Sequence, residues 1–226
     1  MQLFLDTADI GQIAQRSSAG LITGVTTNPT LIKKSGRKPE DVYQSLVDIG
    51  IQDISMEVVG NSSTSLVRQG SDLVSTFGPV STIKLPCSTD GLKACKRLTE
   101  MGIRVNMTLV FSVSQAILCS LAGATYVSPF IGRMDDNSLS GLDLIGDIAR
   151  LFKLKQVETK VLAASVRDVQ SVSKAFEYGA DICTVPVDVY DKMSIHVLTA
   201  AGIDKFNSDW NETMGKTGSQ SRKSKD

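Results

Sequence analysis

Thr82-Ile83-Lys84-Leu85-Pro86 places a lysine inside a short β-like run, where an unpaired ammonium is costly. A lysine whose charged form is disfavoured by burial becomes a neutral amine nucleophile, able to form a Schiff base with a carbonyl substrate. On its own such a residue reads as a strand-end lysine that snorkels to water. The other reactive residue types narrow the chemistry. His196 is the only histidine, so neither a multi-histidine metal site nor a Ser-His-Asp triad can be assembled. Cys87, Cys95, Cys119 and Cys183 lie far apart, without the spacing of a zinc site or a redox motif, and read as reduced core thiols.

The chain has 226 residues, 42% of them hydrophobic, with 18 Gly, which suits one large domain with a sizeable core. Lys plus Arg and Asp plus Glu number 24 each, so no net field draws the chain to nucleic acid or to an anionic membrane. Small anions can still find local basic sites. Met1-Gln2-Leu3-Phe4-Leu5-Asp6 reaches a carboxylate too early for a signal peptide, and no apolar run approaches the roughly 18 residues of a membrane span. The expected location is the cytoplasm.

Apolar, β-branched runs alternate with stretches of helical period to about residue 190. Strands are predicted at 3–6, 24–28, 54–58, 82–85, 104–109, 126–129, 161–165 and 182–186, and helices at 10–17, 40–49, 63–77, 90–101, 114–122, 141–153 and 168–178. Thr89-Asp90 offers a helix start, and Gly50, Gly102, Gly123 and Gly179 offer helix ends. Eight such strands suggest a closed (β/α)8 barrel with short loops, since the usual size of roughly 250 residues is slightly above this length. A doubly wound open sheet is the alternative, but no Gly-x-Gly-x-x-Gly follows the first strand. Residues 1–214 are read as the barrel with a C-terminal helix, and the Gly, Ser, Lys and Arg-rich residues 215–226 as a mobile tail. On that last helix Ile203, Phe206 and Trp210 form an i, i+3, i+7 stripe that should bury on its own barrel or on a neighbouring subunit.

A barrel gathers its chemistry at the carboxyl ends of its strands, where the loops converge on one mouth. Asp6 ends the first strand, Thr26 and Asn28 the second, and Glu57 lies near the end of the third; Lys84 is on the fourth. Asn106 and Thr108 follow on the fifth, Ser128 on the sixth, and Ser165 on the seventh with Arg167 just beyond. Singly, Asp6 or Asn28 reads as a helix cap, Thr108 as a β-former and Ser165 as a turn residue. Jointly they describe a pocket that holds an amine, two carboxylates, amides and hydroxyls.

These positions carry a resemblance. Phe4-Leu5-Asp6-Thr7-Ala8, Gly24-Val25-Thr26-Thr27-Asn28-Pro29, Ile83-Lys84-Leu85-Pro86, Asn106-Met107-Thr108-Leu109, Val127-Ser128-Pro129-Phe130-Ile131-Gly132-Arg133 and Ala163-Ala164-Ser165-Val166-Arg167 resemble the short transaldolase family, which includes the fructose-6-phosphate aldolases. The likeness runs from Met1 to about Trp210. It implies a barrel, a Schiff base on Lys84, no metal and no cofactor, sugar-phosphate substrates, a place in the pentose phosphate pathway and a ring-based homo-oligomer, often a decamer. It also implies that Asp6 is the acid/base carboxylate, and that Glu57 and Thr108 position a water. By the same likeness Asn28 and Asn106 bind substrate hydroxyls and help place the lysine, with Thr26 and Ser128 beside them. Arg133 and Arg167, which follow strand ends on the same mouth, suit a phosphate, and Ser165 can add a hydroxyl.

Two activities share that family. In the aldolase branch the resemblance implies a tyrosine where this chain has Phe130 and a glutamine where it has Glu57. Phe130 has no hydroxyl to donate. Glu57 and Arg167 point the same way, toward transaldolase, with fructose-6-phosphate aldolase as the close alternative and an inactive barrel that serves binding or assembly as the third.

Overall fold

Runs such as Phe4-Leu5-Asp6 alternate their side chains between two faces, so one run can give an apolar contact to a helix on one side and fill a barrel on the other. The computed structural model, which describes residues 1–220, has this arrangement. Eight parallel strands pair in sequence order, and the last pairs back with the first to close the barrel. They are β1 Gln2–Asp6, β2 Ile22–Thr26, β3 Ile54–Glu57, β4 Ser81–Pro86, β5 Val105–Val110, β6 Tyr126–Pro129, β7 Lys160–Ala163 and β8 Ile182–Val185. The helices are α1 Ile10–Ser17, α2 Pro29–Ser35, α3 Pro39–Asp48, α4 Ser63–Phe77, α5 Thr89–Glu100, α6 Val113–Leu121, α7 Ile131–Asp135, α8 Gly141–Lys155, α9 Val169–Glu177, α10 Val187–Lys192 and α11 Val197–Gln220.

Outward-facing residues such as Leu5, Val25, Ile83, Leu85 and Met107 are fully buried in the layer between strands and helices. Inside the barrel Phe4, Tyr126, Leu162, Ala164 and Ile182 form a separate apolar cluster. Gly24 makes room for it, because a Cβ there would lie 2.7 Å from the Phe4 ring. Two residues beyond Phe4 on the same face of β1 comes Asp6, so the apolar plug ends where the polar mouth begins.

Several helices start at side-chain caps that accept a backbone N–H three residues on: Asp9, Asn28, Ser62, Ser88, Ser112, Ser140 and Asp168. The α5 cap is Ser88 rather than Thr89 or Asp90; Asp90 sits in the first turn and its carboxylate accepts from Ser63 N–H. Gly50, Gly102, Gly123 and Gly179 all take positive φ, as their places after helices require. Three short helices not anticipated, α2, α7 and α10, follow β2, β6 and β8.

Residues 1–190 form one compact unit, and the described residues from 191 to 220 belong to a second, helical one. In that second unit Ile203, Phe206 and Trp210 are exposed in the single chain. The α11 backbone is helical through Gln220, across the start of the segment expected to be a tail, while residues 221–226 lie outside the described residues. No helix among the described residues is long and apolar enough to cross a membrane.

Candidate active site

Strand register brings the polar residues together. Glu57 pairs with Lys84, Lys84 with Asn106, and Asp6 with Thr26, so residues from distant parts of the chain share one level near the carboxyl end of the barrel. Lys84 is 5% exposed. Its Nζ donates to the Thr27 carbonyl at 2.8 Å and lies 3.0 Å from Glu57 Oε2. The lysine is therefore buried as expected but not unpaired; the carboxylate and carbonyl offset the cost of removing its charge from water.

Asp6 Oδ1 accepts from Thr26 Oγ1 at 2.7 Å, and Thr26 Oγ1 lies 2.6 Å from Thr184 Oγ1. Since Thr26 spends its only hydroxyl proton on Asp6, Thr184 must donate to Thr26. Asp6 caps no helix; Asp9 does that for α1. Burial pushes the Asp6 carboxyl above its usual range, against the opposing pull of Lys84 and of the Thr26 hydrogen bond. Asn28 does both things its position suggested: Oδ1 caps α2 by accepting from Leu31 N–H, while the residue also lines the site. Its amide protons remain for a ligand.

Two cavities meet at Lys84. One, about 130 Å³, is lined by Asp6, Thr26, Asn28, Ser128, Ser165 and Thr184, among others; its neighbour, about 370 Å³, by Glu57, Thr108 and Leu109, among others. Asn28, Lys84, Phe130 and Arg133 line both. Size alone would not find this site, since a groove of about 470 Å³ lies between Ala149 and Tyr178 with no buried amine in its lining.

Thr108 Oγ1 is buried without a hydrogen-bond partner. The strand distorts just beyond it: Leu109 takes φ of 59° and the β5–β6 register shifts there, so Leu109 turns toward the cavity. Ser165, at φ of 58°, makes a similar turn after β7. Phe130 is held edge-on by Phe111 at 5.7 Å, and the Arg133 guanidinium lies 5.1 Å over its ring. Gly132 permits this packing, because a Cβ there would come within 2.5 Å of the Ser165 carbonyl.

Two expected site residues are placed differently. Asn106 is fully buried, with Nδ2 donating to Ser55 Oγ at 3.1 Å and Oδ1 accepting from Ser128 Oγ at 2.6 Å, and it lines neither cavity. Arg167 is paired bidentately with Asp136 and also lines neither. Sequence reasoning missed Thr184, Ser55 and Asp136. The first two look like ordinary strand residues, and Asp136 lies in an acidic run with no local sign of a distant arginine.

A family model described as Transaldolase/Fructose-6-phosphate aldolase matches residues 3–217. A protein named probable transaldolase from Paracoccus denitrificans (strain Pd 1222) is 44% identical over 216 residues, covering 96% of this chain and 99% of that protein. Another of that name from Geobacter sulfurreducens (strain ATCC 51573 / DSM 12127 / PCA) is 45% identical over 210 residues, covering 93% of this chain and 98% of its own length.

Proposed function

We infer what the site does from the fact that the chain belongs to the transaldolase/fructose-6-phosphate aldolase family and is an enzyme of aldol chemistry through a lysine imine. The reading is a transaldolase that moves a dihydroxyacetone unit from fructose 6-phosphate or sedoheptulose 7-phosphate to an aldose phosphate. The observation that carries it is the buried Lys84 amine between Glu57 and the Thr27 carbonyl, on the wall shared by two cavities.

Lys84 attacks the C2 carbonyl of the ketose, with Glu57 Oε2 within reach of the proton the amine must shed. Loss of water gives a protonated imine, an electron sink for cleavage between C3 and C4. Asp6 takes the C4 hydroxyl proton as that bond breaks, and returns it when the enamine attacks an acceptor aldehyde. A carboxyl pushed upward by burial suits both directions, because its two protonation states lie closer in energy at working pH. Glu57 and the unpartnered Thr108 hydroxyl hold the water of imine formation and hydrolysis. Asn28 meets substrate hydroxyls, while Asn106 acts by fixing Ser128 and Ser55.

Arg133 and Ser165 receive the phosphate at the mouth. Arg167 joins them when the phosphate displaces Asp136, an exchange of one bidentate anion for another. Phe130 favours transfer over release, since its ring lines both cavities and supplies no proton to the enamine. Glu57 supports the same choice, because a glutamine could not form its ion pair with Lys84.

The reaction belongs in the cytoplasm, where thiols stay reduced. The chain acts as a homo-oligomer, ring-based as the resemblance implies, and the exposed Ile203, Phe206 and Trp210 of α11 supply an apolar face for it. A coupled assay tests the function: fructose 6-phosphate should be consumed rapidly only with erythrose 4-phosphate present. Rapid acceptor-free release of dihydroxyacetone selects the aldolase reading, and no turnover in either format selects an inactive barrel.

A further inference from the structure

Four cysteines that look unrelated in sequence are not equivalent in space. Cys87 follows β4 and is half-buried; Cys119 is fully buried near the end of α6; their sulfurs lie 3.5 Å apart, with the Cys119 thiol donating to Cys87 Sγ. We propose that Cys87 and Cys119 are a peroxide-oxidisable dithiol, a modification site whose closure to a disulfide displaces the end of the strand that carries Lys84.

The division of labour follows from the contact. The Cys119 hydrogen bond lowers the Cys87 thiol below its ordinary range, with burial acting in the opposite direction, while the same bond and burial push Cys119 upward. Cys87 is thus the sulfur with thiolate character and a path to solvent, and Cys119 the sheltered partner. Burial holds Cys95 and Cys183 up at about 12, which makes them unreactive internal controls.

The step balances with a hydroperoxide as oxidant. The Cys87 thiolate attacks one peroxide oxygen, the O–O bond breaks, and the sulfenic acid and one water form once a proton is taken up. Cys119 sulfur then attacks the Cys87 sulfur, expelling a second water as its own proton is lost. Two thiols and one hydrogen peroxide become one disulfide and two waters, a two-electron oxidation.

A bonded pair requires about 2.05 Å between sulfurs, so this contact must close by roughly 1.5 Å. The Cys87 side has little slack. Its N–H donates to the Thr108 carbonyl at 2.8 Å, and α5 packs so closely that a Cβ on Gly91 would lie 2.0 Å from the Pro86 carbonyl. Movement at Cys87 therefore travels along β4 toward Lys84 and across to Thr108.

The test uses the full reduced chain treated with hydrogen peroxide, read by non-reducing peptide mapping and by amide hydrogen exchange. Expected are one Cys87–Cys119 crosslink, altered exchange at 84–91 and 105–110, and reversal of both by dithiothreitol. Cys119→Ala removes the hydrogen bond that lowers Cys87, so Cys87 should oxidise more slowly and give sulfenic and higher acids without a crosslink, and Cys87→Ser should resist peroxide. A crosslink through Cys95 or Cys183, equal oxidation of Cys87→Ser, or a Cys87–Cys119 crosslink with unchanged exchange overturns the proposal. Its consequence for turnover rests on the transaldolase reading: transfer should fall at least tenfold with the crosslink and recover on reduction. The crosslink and exchange arms do not depend on that reading, so failure of transfer in the reduced protein counts against the function alone.

Discussion

At the amino-terminal end of the barrel, Asp53 precedes β3 and meets Arg104 Nη1 at 2.7 Å, Tyr126 OH at 2.7 Å and Thr82 Oγ1 at 2.8 Å. At the carboxyl end, Glu57 meets Lys84 at 3.0 Å on the next layer of the same two strands. Each end buries a carboxylate beside a cation. At the lower end both oxygens of Asp53 are engaged by three donors, and Arg104 spends another proton on the Pro79 carbonyl. At the upper end Thr108 Oγ1 has no partner, as Ser81 Oγ has none at the start of β4, but here Asn28 and Thr108 line cavities and Leu109 and Ser165 hold left-handed conformations. A saturated network can only stabilise; one with open bonding capacity can bind and react.

The largest effect that separates the ends comes from one charged residue at each, Lys84 above and Asp53 below. Lys84→Ala should reduce transfer to background while leaving the fold intact, as read by turnover and circular dichroism. Asp53→Ala should do the opposite, with turnover per folded molecule retained and stability lowered by about 3 kcal/mol in denaturant titration, because Arg104 and Tyr126 lose a buried partner.

Phe130→Tyr should change the upper end alone. A phenol in the cavity lined by Glu57 and Thr108, where the proposed mechanism puts a water, opens a route to enamine protonation, so acceptor-free release of dihydroxyacetone should rise severalfold and transfer should fall. Product analysis with and without erythrose 4-phosphate reads both.

Asp6 gives a pH test. Its folded pKa is raised, so between the unfolded value of 3.8 and that raised value the folded state holds more protons than the unfolded one. Stability contributed by neutral Asp6 is then present at low pH and declines as pH rises through this window. Asp6→Asn should remove the decline: the variant melts higher than the parent at pH 7, and the gap closes below about pH 4. An identical gap at both pH values would deny the shift. The smallest effect is expected from Asp136→Asn, which frees Arg167 and should tighten phosphorylated substrates a few fold while leaving unphosphorylated ones unchanged, as read from KM.

The barrel was legible because its strands are short, apolar and punctuated, and because period two puts Phe4 and Asp6 on one face without knowledge of the neighbours. The site was legible for the related reason that polar residues recur at strand ends. What escaped depends on register or on short local structure. Nothing in the run around Lys84 says that Glu57 will stand beside it, since that contact is fixed by the β3–β4 pairing. The helix α2 was hidden by its 7 residues, too few for a periodic signal, and by Pro29 at its start. α7 and α10 are shorter still. The Arg167–Asp136 pair escaped because the two residues lie 31 apart in sequence.

In the proposed mechanism Lys84, and not another amine, forms the imine. Borohydride reduction with fructose 6-phosphate, followed by intact-mass and peptide analysis, should give one covalent adduct per chain on the peptide that contains Lys84, and none in Lys84→Ala. No adduct, or an adduct on Lys93, would contradict the account.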